Sequence, residues 1–530
     1  MANIDWLIVG CYLVALLALS ALLGRKQSSK RDYYLGGGSL SSPALAVSII
    51  ATQCSTNSLL GAPAFVGFAA AGGLIWLQYE LAVPLAMLGL LLLFPAVHRS
   101  GVISIYEFLE QRLGREARLA ASACFLFFRG VATGVTVYGV ASVLALVTGT
   151  SYLAAVLLLM GVTIAYDVLG GMRAVVVSDV AQMLVLIAAV LVSLVWLTPE
   201  LQTYWQDLGA RRETLLFDRG VSGESDFGLW PMLIGGLFLY MAYYGCDQSQ
   251  AQRLLAARDE RSLSRVLLLN GLLRFPLVAA YCLLGLGLAA YAMGNPDFID
   301  ALPIASSGRA NYNLVFPTYV LREFPPGLVG LAIVGLFAAA MSSIDSALNS
   351  LSASSLEDFG KRANGEQMAI DEFRQSKLLT LAWGGFAVVF SFFVEQIAST
   401  ILEAINKVGS MANGPLLAMF ALAVVYPRVG GRAAVAGLFL GIVANALAWK
   451  FLPTLSWLWW NPLGFVAAIT GALAYSAAGV FENKKAPANQ SLLGEAPTNL
   501  GGFRMARGTA YSLTAGFLCM LALMVWLQSQ

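Results

Sequence analysis

The stretch GLAIVGLFAAAMSSIDSALNSLSASSLEDF (330–359) decides the fold class of this chain. Its first half is apolar without interruption, and a run of roughly 20 apolar residues is what a helix needs to cross a bilayer. The second half carries a line of polar side chains, namely Ser342, Ser343, Asp345, Ser346, Asn349 and Ser350. Small hydroxyl residues are common where membrane helices pack together, but a buried carboxylate demands a further reason. The pattern therefore favours a cation site over a simple packing face.

The rest of the chain repeats the apolar pattern. Of its 530 residues, 58% are hydrophobic and 12% are charged, whereas soluble proteins carry about 25% charged residues. The sequence predicts about fourteen membrane-spanning helices. They cover 5–23, 44–66, 74–97, 118–147, 151–169, 174–198, 228–248, 262–293, 325–353, 377–395, 398–426, 432–452, 462–480 and 509–527.

Basic residues between the spans predict the orientation of the chain. Four of them follow the first span directly (Arg25, Lys26, Lys30 and Arg31), which places that connection in the cytoplasm. The later basic connections, including Arg253–Arg265, fall on the same side when the spans alternate. We therefore expect a multi-pass protein of the cell (inner) membrane with both termini on the extracytoplasmic side.

Composition also argues against several classes of protein. A net charge of +2 without a basic arm gives no reason to expect nucleic acid as a partner. The six cysteines form no metal-binding or disulfide spacing, and no cofactor is expected. No segment is large enough for a soluble catalytic domain, so we do not expect an enzyme, whereas a membrane-embedded sensor or a channel remains an alternative.

Charged residues inside the predicted spans are candidates for function, because each costs about 2.5–3.5 kcal/mol at the centre of a bilayer. Four of them lie deep in their spans: Glu80, Arg129, Asp179 and Asp345. Four others lie nearer to predicted helix ends, where their side chains could reach the interface: Asp247, Arg274, Glu403 and Lys407.

Two spans also contain signals for a break in the helix. The second span, SSPALAVSIIATQCSTNSLLGAP (41–63), has a polar centre, and the seventh, GGLFLYMAYYGCDQS (235–249), has Gly245 beside a Tyr-rich segment. Broken helices in mid-membrane expose backbone carbonyls, which are suitable ligands for a small hard cation. The two spans lie five helices apart, as expected of paired structural repeats.

Three segments resemble the recurrent motifs of the sodium:solute symporter family. They are YDVLGGMRAVVVSDVAQ (166–182), GCDQSQAQRLLAARDERSLSR (245–265) and AAAMSSIDSALNSLSASSLEDF (338–359). The resemblance extends to about residue 450 and implies an all-α membrane protein with a LeuT-like core of two inverted five-helix repeats. The implied division of the chain is an extra helix and loop (1–43), the ten-helix core (44–427) and three further helices (428–530).

The resemblance also implies cation sites. The family's shared sodium site maps onto the carbonyls of Ala51, Cys54 and Ala339 and the hydroxyls of Ser342 and Ser343. A second cation position of some members maps onto Asp179, Asp345 and Ser346. Because Asp345 stands where a hydroxyl is expected, the region could hold either a second sodium ion or a proton. The alternative is that one of the two carboxylates caps a helix or accepts hydrogen bonds from hydroxyls across the packing face.

The implied solute is a small polar molecule, either a sugar or a small organic carboxylate. Residues matching the sugar site are Ser58, Glu80, Tyr240, Tyr243 and Arg274, and the match is partial. Acid-transporting members can use an arginine on the helix that carries Arg129, which could instead pair with Glu80 or with a backbone carbonyl. The sugar assignment is slightly favoured. The sequence thus predicts sodium-coupled import by alternating access, with an amino-acid or vitamin symporter as alternatives within the family.

Overall fold

The computed structural model describes residues 1–24, 34–54, 56–170, 172–305, 308–360, 367–394, 401–426, 429–478 and 503–529. The basic residues 25–31 that set the predicted orientation lie outside this part of the chain. Regular structure within it is helical, apart from one isolated bridge between Ile304 and Ala310.

The α-helices follow one another with few long connections. In the first half they are α1 (Asn3–Gly24), α2 (Ser42–Gln53), α3 (Thr56–Phe68), α4 (Leu77–Glu80), α5 (Ala82–Arg99), α6 (Ile105–Leu113), α7 (Arg115–Thr148), α8 (Tyr152–Gly170), α9 (Met172–Thr203) and α10 (Gly236–Cys246). In the second half they are α11 (Gln248–Leu255), α12 (Glu260–Gly294), α13 (Asp297–Asp300), α14 (Val315–Glu323), α15 (Leu328–Phe359), α16 (Gln367–Ser391), α17 (Ile401–Val425), α18 (Gly431–Phe451), α19 (Trp460–Ala477) and α20 (Phe503–Gln528).

Helix ends are determined by local capping. The side chain of Ser41 accepts a hydrogen bond from the backbone N–H of Ala44 at the start of α2, and Asp259 caps α12 through Ser262 in the same way. Gly149 ends α7 at φ 67°, a left-handed conformation that glycine adopts without strain.

Each of the fourteen predicted spans overlaps a helix or a broken pair of helices. Within the described residues, 8 helices are long and apolar enough to cross a membrane by length and composition. Other spans are represented by shorter pieces, as in α2 and α3, so the number of crossings remains a prediction. Short helices α6, α11 and α14 lie between or beside the predicted spans, and the apolar pattern gave no indication of them.

Helix α15 lies at the centre of the bundle. In an apolar stretch of 18 residues within α15, 89% of the residues are buried. In the corresponding stretch of α20, at the periphery, 17% of the residues are buried. Helix α15 packs against α1, α7, α9 and α16. The peripheral helices instead expose large apolar side chains such as Val195 (73% exposed) and Trp449 (63% exposed), as expected of a surface solvated by lipid.

A second central helix, α12, packs against α2, α3, α5 and α9. Its contact with α3 is close because glycines face each other: a Cβ atom on Gly67 would lie 2.6 Å from the carbonyl oxygen of Gly285. Helices α12 and α15 thus flank the break between α2 and α3, and together they build the candidate sites.

Candidate substrate and cation sites

The predicted break in the second span lies between α2 and α3. Helix α2 ends at Gln53, and Cys54 has φ −84° and ψ 52°, outside the helical region. The carbonyl oxygen of Cys54 faces the interior, since it accepts a hydrogen bond of 3.0 Å from the hydroxyl of Tyr281. Residue Ser55 lies outside the described residues.

The second break lies slightly later than the sequence suggested. Gly245 is inside α10, and the non-helical residue is Asp247, with φ −88° and ψ 118°. The Asp247 carboxylate caps α11 by accepting hydrogen bonds from the backbone N–H of Ser249 (2.8 Å) and from its hydroxyl (2.6 Å). Capping by a polar side chain, rather than glycine flexibility, determines where this helix is interrupted.

Helix α15 is hydrogen-bonded to both sides of the first break. The hydroxyl of Ser343 donates to the carbonyl oxygen of Thr52 at 2.9 Å. On the other side of the break, the hydroxyl of Thr56 donates to the carbonyl oxygen of Leu336 at 2.6 Å. Residues 336, 339 and 343 share one helix face, so Ala339 lies opposite the break.

The five residues predicted for the shared sodium site therefore belong to two segments that the fold brings together. All five are buried: Ala51, Cys54, Ala339, Ser342 and Ser343. They provide neutral carbonyl and hydroxyl oxygens, the ligand type that hard cations prefer.

The residues predicted for a second cation position also lie in one region. The Asp179 carboxylate accepts hydrogen bonds from the hydroxyls of Ser342 (2.6 Å) and Ser48. Asp345 is fully buried, and one of its oxygens accepts a 2.5 Å hydrogen bond from the backbone N–H of Ser346. Its other oxygen has no hydrogen-bond partner among the described residues.

Arg253 is the residue of this region that sequence reasoning missed. The sequence pattern places it only among the basic residues of an inner connection, whereas the structure buries it: Arg253 is 1% exposed within α11. Its guanidinium donates to Asp179 at 3.1 Å and to Ser346 at 2.5 Å. The run QSQAQR (248–253), whose only charged residue is this arginine, is the available signal, because surface connections normally carry more charges.

A central cavity lies between the two breaks. Its volume is about 130 Å³, room for about four waters at ~30 Å³ each and therefore for a small solute. All six predicted substrate residues line it: Ser58, Glu80, Arg129, Tyr240, Tyr243 and Arg274. Ser343 and Thr52 line it too, so the cavity adjoins the predicted sodium site.

Glu80 and Arg274 form a closed ion pair at one wall of this cavity. Two nitrogens of Arg274 contact the two carboxylate oxygens of Glu80 at 2.5 and 3.0 Å. The hydroxyl of Tyr240 accepts from Arg274 at 2.7 Å and donates to Glu80 at 3.2 Å. The expectation that Arg274 reaches a membrane interface was therefore wrong. Glu80, named as one alternative partner for Arg129, pairs with Arg274 instead.

Arg129 lies across the cavity from that pair in a looser arrangement. One guanidinium nitrogen is 3.5 Å from the Asp247 carboxylate, and the group sits 5.9 Å from the centre of the Tyr243 ring. Its buried Nε has no hydrogen-bond partner among the described residues. Among the described residues, the charged side chains that line the cavity are two arginines and two acids, so their charges cancel.

The ion pair of Glu80 and Arg274 yields a prediction about stability. We expect Arg274→Met to lower the free energy of unfolding by about 3–5 kcal/mol, because it leaves a buried carboxylate without a counter-charge. The double variant Glu80→Gln/Arg274→Met should recover much of this loss. Thermal unfolding of the detergent-solubilised protein measures both, and equal losses in the single and double variants would refute the pairing.

Comparison with known proteins places this architecture in a family. The family model described as the sodium:solute symporter family matches residues 33–441. The chain belongs to the sodium:solute symporter family. Its relatives include the mouse sodium-coupled monocarboxylate transporter 2, 30% identical over 439 residues, covering 80% of this chain and 68% of the relative. A putative sodium-dependent multivitamin transporter of Drosophila melanogaster is 28% identical over 455 residues, covering 83% of this chain and 73% of the relative.

A solved structure of a sodium-coupled sialic acid symporter, in a substrate-bound outward-open state, has a similar fold. The TM-score is 0.77 at 23% identity, and the match covers 90% of this protein and 98% of the sialic acid symporter chain. The predicted fold class, an all-helical membrane protein with a LeuT-like core, is thereby confirmed. The relatives are transporters rather than enzymes, and sodium is the coupling ion of the family.

Proposed function

We propose that this symporter imports small monocarboxylates together with sodium, and that Arg129 binds the carboxylate. The unpartnered Nε of Arg129 in the central cavity is the observation that carries the proposal. A planar guanidinium binds a carboxylate through two parallel hydrogen bonds. The pairing with Asp247, at 3.5 Å, is weak enough for a carboxylate to replace it.

The sugar alternative requires Glu80 to accept hydrogen bonds from solute hydroxyls. Of the roughly four hydrogen bonds that a carboxylate can accept, Glu80 already accepts three, from Arg274 and Tyr240. A carboxylate solute is therefore better supported than the sugar that the sequence slightly favoured. The monocarboxylate transport named for the mouse relative points in the same direction.

Coupling to sodium follows from the charges in the cavity. A monocarboxylate adds one negative charge to a neutral cavity, and a sodium ion bound by Ser342, Ser343 and the carbonyls of Ala51, Cys54 and Ala339 would offset it. Ser343 touches both sites because it also lines the cavity. Each ion would thus make binding of the other more favourable, which is what symport requires.

The placement in the membrane forms part of the proposal. The apolar helices and the family make this a multi-pass membrane protein. We propose the cell membrane as its location, with both termini extracytoplasmic, and retain the division into residues 1–43, 44–427 and 428–530.

Uptake by the reconstituted wild-type protein tests the solute class. We expect proteoliposomes with an inward sodium gradient to accumulate labelled propionate or lactate, but not glucose or proline. With one sodium per monocarboxylate no net charge moves, so a tenfold sodium gradient, worth about 1.4 kcal/mol, should support roughly tenfold accumulation whatever the membrane potential. Sodium-driven uptake of glucose without carboxylate uptake would refute the proposal.

A further inference from the structure

Arg253 connects four helices through one buried side chain. From α11 its Nε donates to the hydroxyl of Ser48 in α2 at 2.6 Å. Its terminal nitrogens donate to Ser249 in its own helix, to Asp179 in α9 and to Ser346 in α15. These contacts use four of the five N–H donors of the guanidinium, and Arg253 is 1% exposed.

The guanidinium lies where a second cation would have to bind. A single nitrogen is 3.1 Å from an oxygen of Asp179 and 2.5 Å from the hydroxyl of Ser346. Those are two of the three residues predicted for that position. A nitrogen in direct contact with both fills the volume that a metal ion bound to both would need.

The charges of the region support the same conclusion. The ion pair of Arg253 and Asp179 is neutral, and the two side chains are 1% and 0% exposed. Asp345 adds a third ionisable group, and its unpartnered oxygen is also buried. Removing the guanidinium would leave two buried carboxylates without a counter-charge, an arrangement that strongly attracts a small cation.

We propose that Arg253 is a built-in cation at the second cation position, so that this symporter binds one sodium ion, at Ser342 and Ser343. The proposal rests on the sodium coupling proposed above. It also implies that loss of the guanidinium converts the region into a second sodium site formed by Asp179, Asp345 and Ser346.

Binding of labelled sodium to the purified full-length protein without solute tests this inference. The measurement is a scintillation-proximity titration of ²²Na⁺, which counts ions independently of what is transported. We expect one sodium per wild-type protein and two for Arg253→Ala. Arg253→Lys, which keeps the charge, should still bind one, as should Arg265→Ala, which removes an exposed arginine of α12.

Two sodium ions in the wild type would overturn the inference, and so would one sodium ion in a folded Arg253→Ala protein. The wild-type count decides the matter even if Arg253→Ala does not fold. A count of zero in the wild type would overturn the sodium coupling and, with it, this inference. Failure of carboxylate uptake alone would leave the sodium count unaffected, so the two proposals fail separately.

Discussion

Arg129→Gln is expected to abolish sodium-driven uptake of monocarboxylates by proteoliposomes. The guanidinium would make two charge-assisted hydrogen bonds to the carboxylate, each contributing about 1.5–3 kcal/mol. Their loss corresponds to a rise in KM of at least about 100-fold, since every 1.4 kcal/mol changes an equilibrium tenfold. Initial rates of labelled propionate uptake at increasing concentrations measure the effect.

Matched variants distinguish recognition of the solute from damage to the fold. Arg129→Lys keeps the charge but loses the paired hydrogen bonds, so its loss should be intermediate. Glu80→Gln leaves Arg274 buried without a counter-charge, so its uptake is compared only on protein that thermal unfolding shows to be folded. In such protein the loss of uptake should be milder than for Arg129→Gln, because Glu80 accepts its hydrogen bonds from Arg274 and Tyr240. If Glu80→Gln abolished uptake while Arg129→Gln had little effect, the solute would be recognised through its hydroxyl groups and the carboxylate proposal would be wrong.

Ser342→Ala/Ser343→Ala is expected to remove the sodium stimulation of uptake. The double variant deletes two hydroxyl oxygens from a buried site, each contributing roughly 1 kcal/mol or more. We therefore expect the sodium concentration for half-maximal uptake to rise at least about tenfold. Folding should be preserved, because Asp179 retains Ser48 and Arg253 as donors after Ser342 is lost.

The control for this variant is Ser350→Ala on the same helix. Ser350 is equally buried, but its hydroxyl donates to the carbonyl oxygen of Ala347 within α15, and Ser350 is not one of the predicted sodium ligands. Its sodium dependence should match the wild type. An unchanged sodium affinity in the double variant would place the sodium ion elsewhere.

The sequence pattern alone predicted a structural feature wherever the physical cause of that feature lies within about 20 consecutive residues. The apolar runs predicted the helices because each span must satisfy its own backbone hydrogen bonds in lipid. The polar centre at 52–58 predicted the break after α2, which the structure places at Cys54. The second break was predicted two residues too early, because the capping role of Asp247 depends on how α11 begins.

The partners of the buried charges could not be read from the sequence. Glu80 is separated by 194 positions from Arg274 and by 49 from Arg129 (129 minus 80), and no feature of either segment indicates which arginine it faces. Arg253 was overlooked for the same reason: following an apolar run, it was counted as a cytoplasmic charge, and nothing in its own segment indicates that it contacts Asp179 and Ser346.

The sequence by itself determined that this protein is embedded in lipid and built from helices. It also determined that two of the helices are interrupted and that α15 carries a hydroxyl-rich face. Hydropathy, helix capping and residue type along one segment are enough for these properties. Only the tertiary structure decided that Arg274 neutralises Glu80, that Arg129 keeps an unpartnered nitrogen in the cavity, and that Arg253 lies between Asp179 and Ser346. Ion pairing depends on distances of a few ångströms between helices far apart in the chain, and only the packed bundle determines those distances.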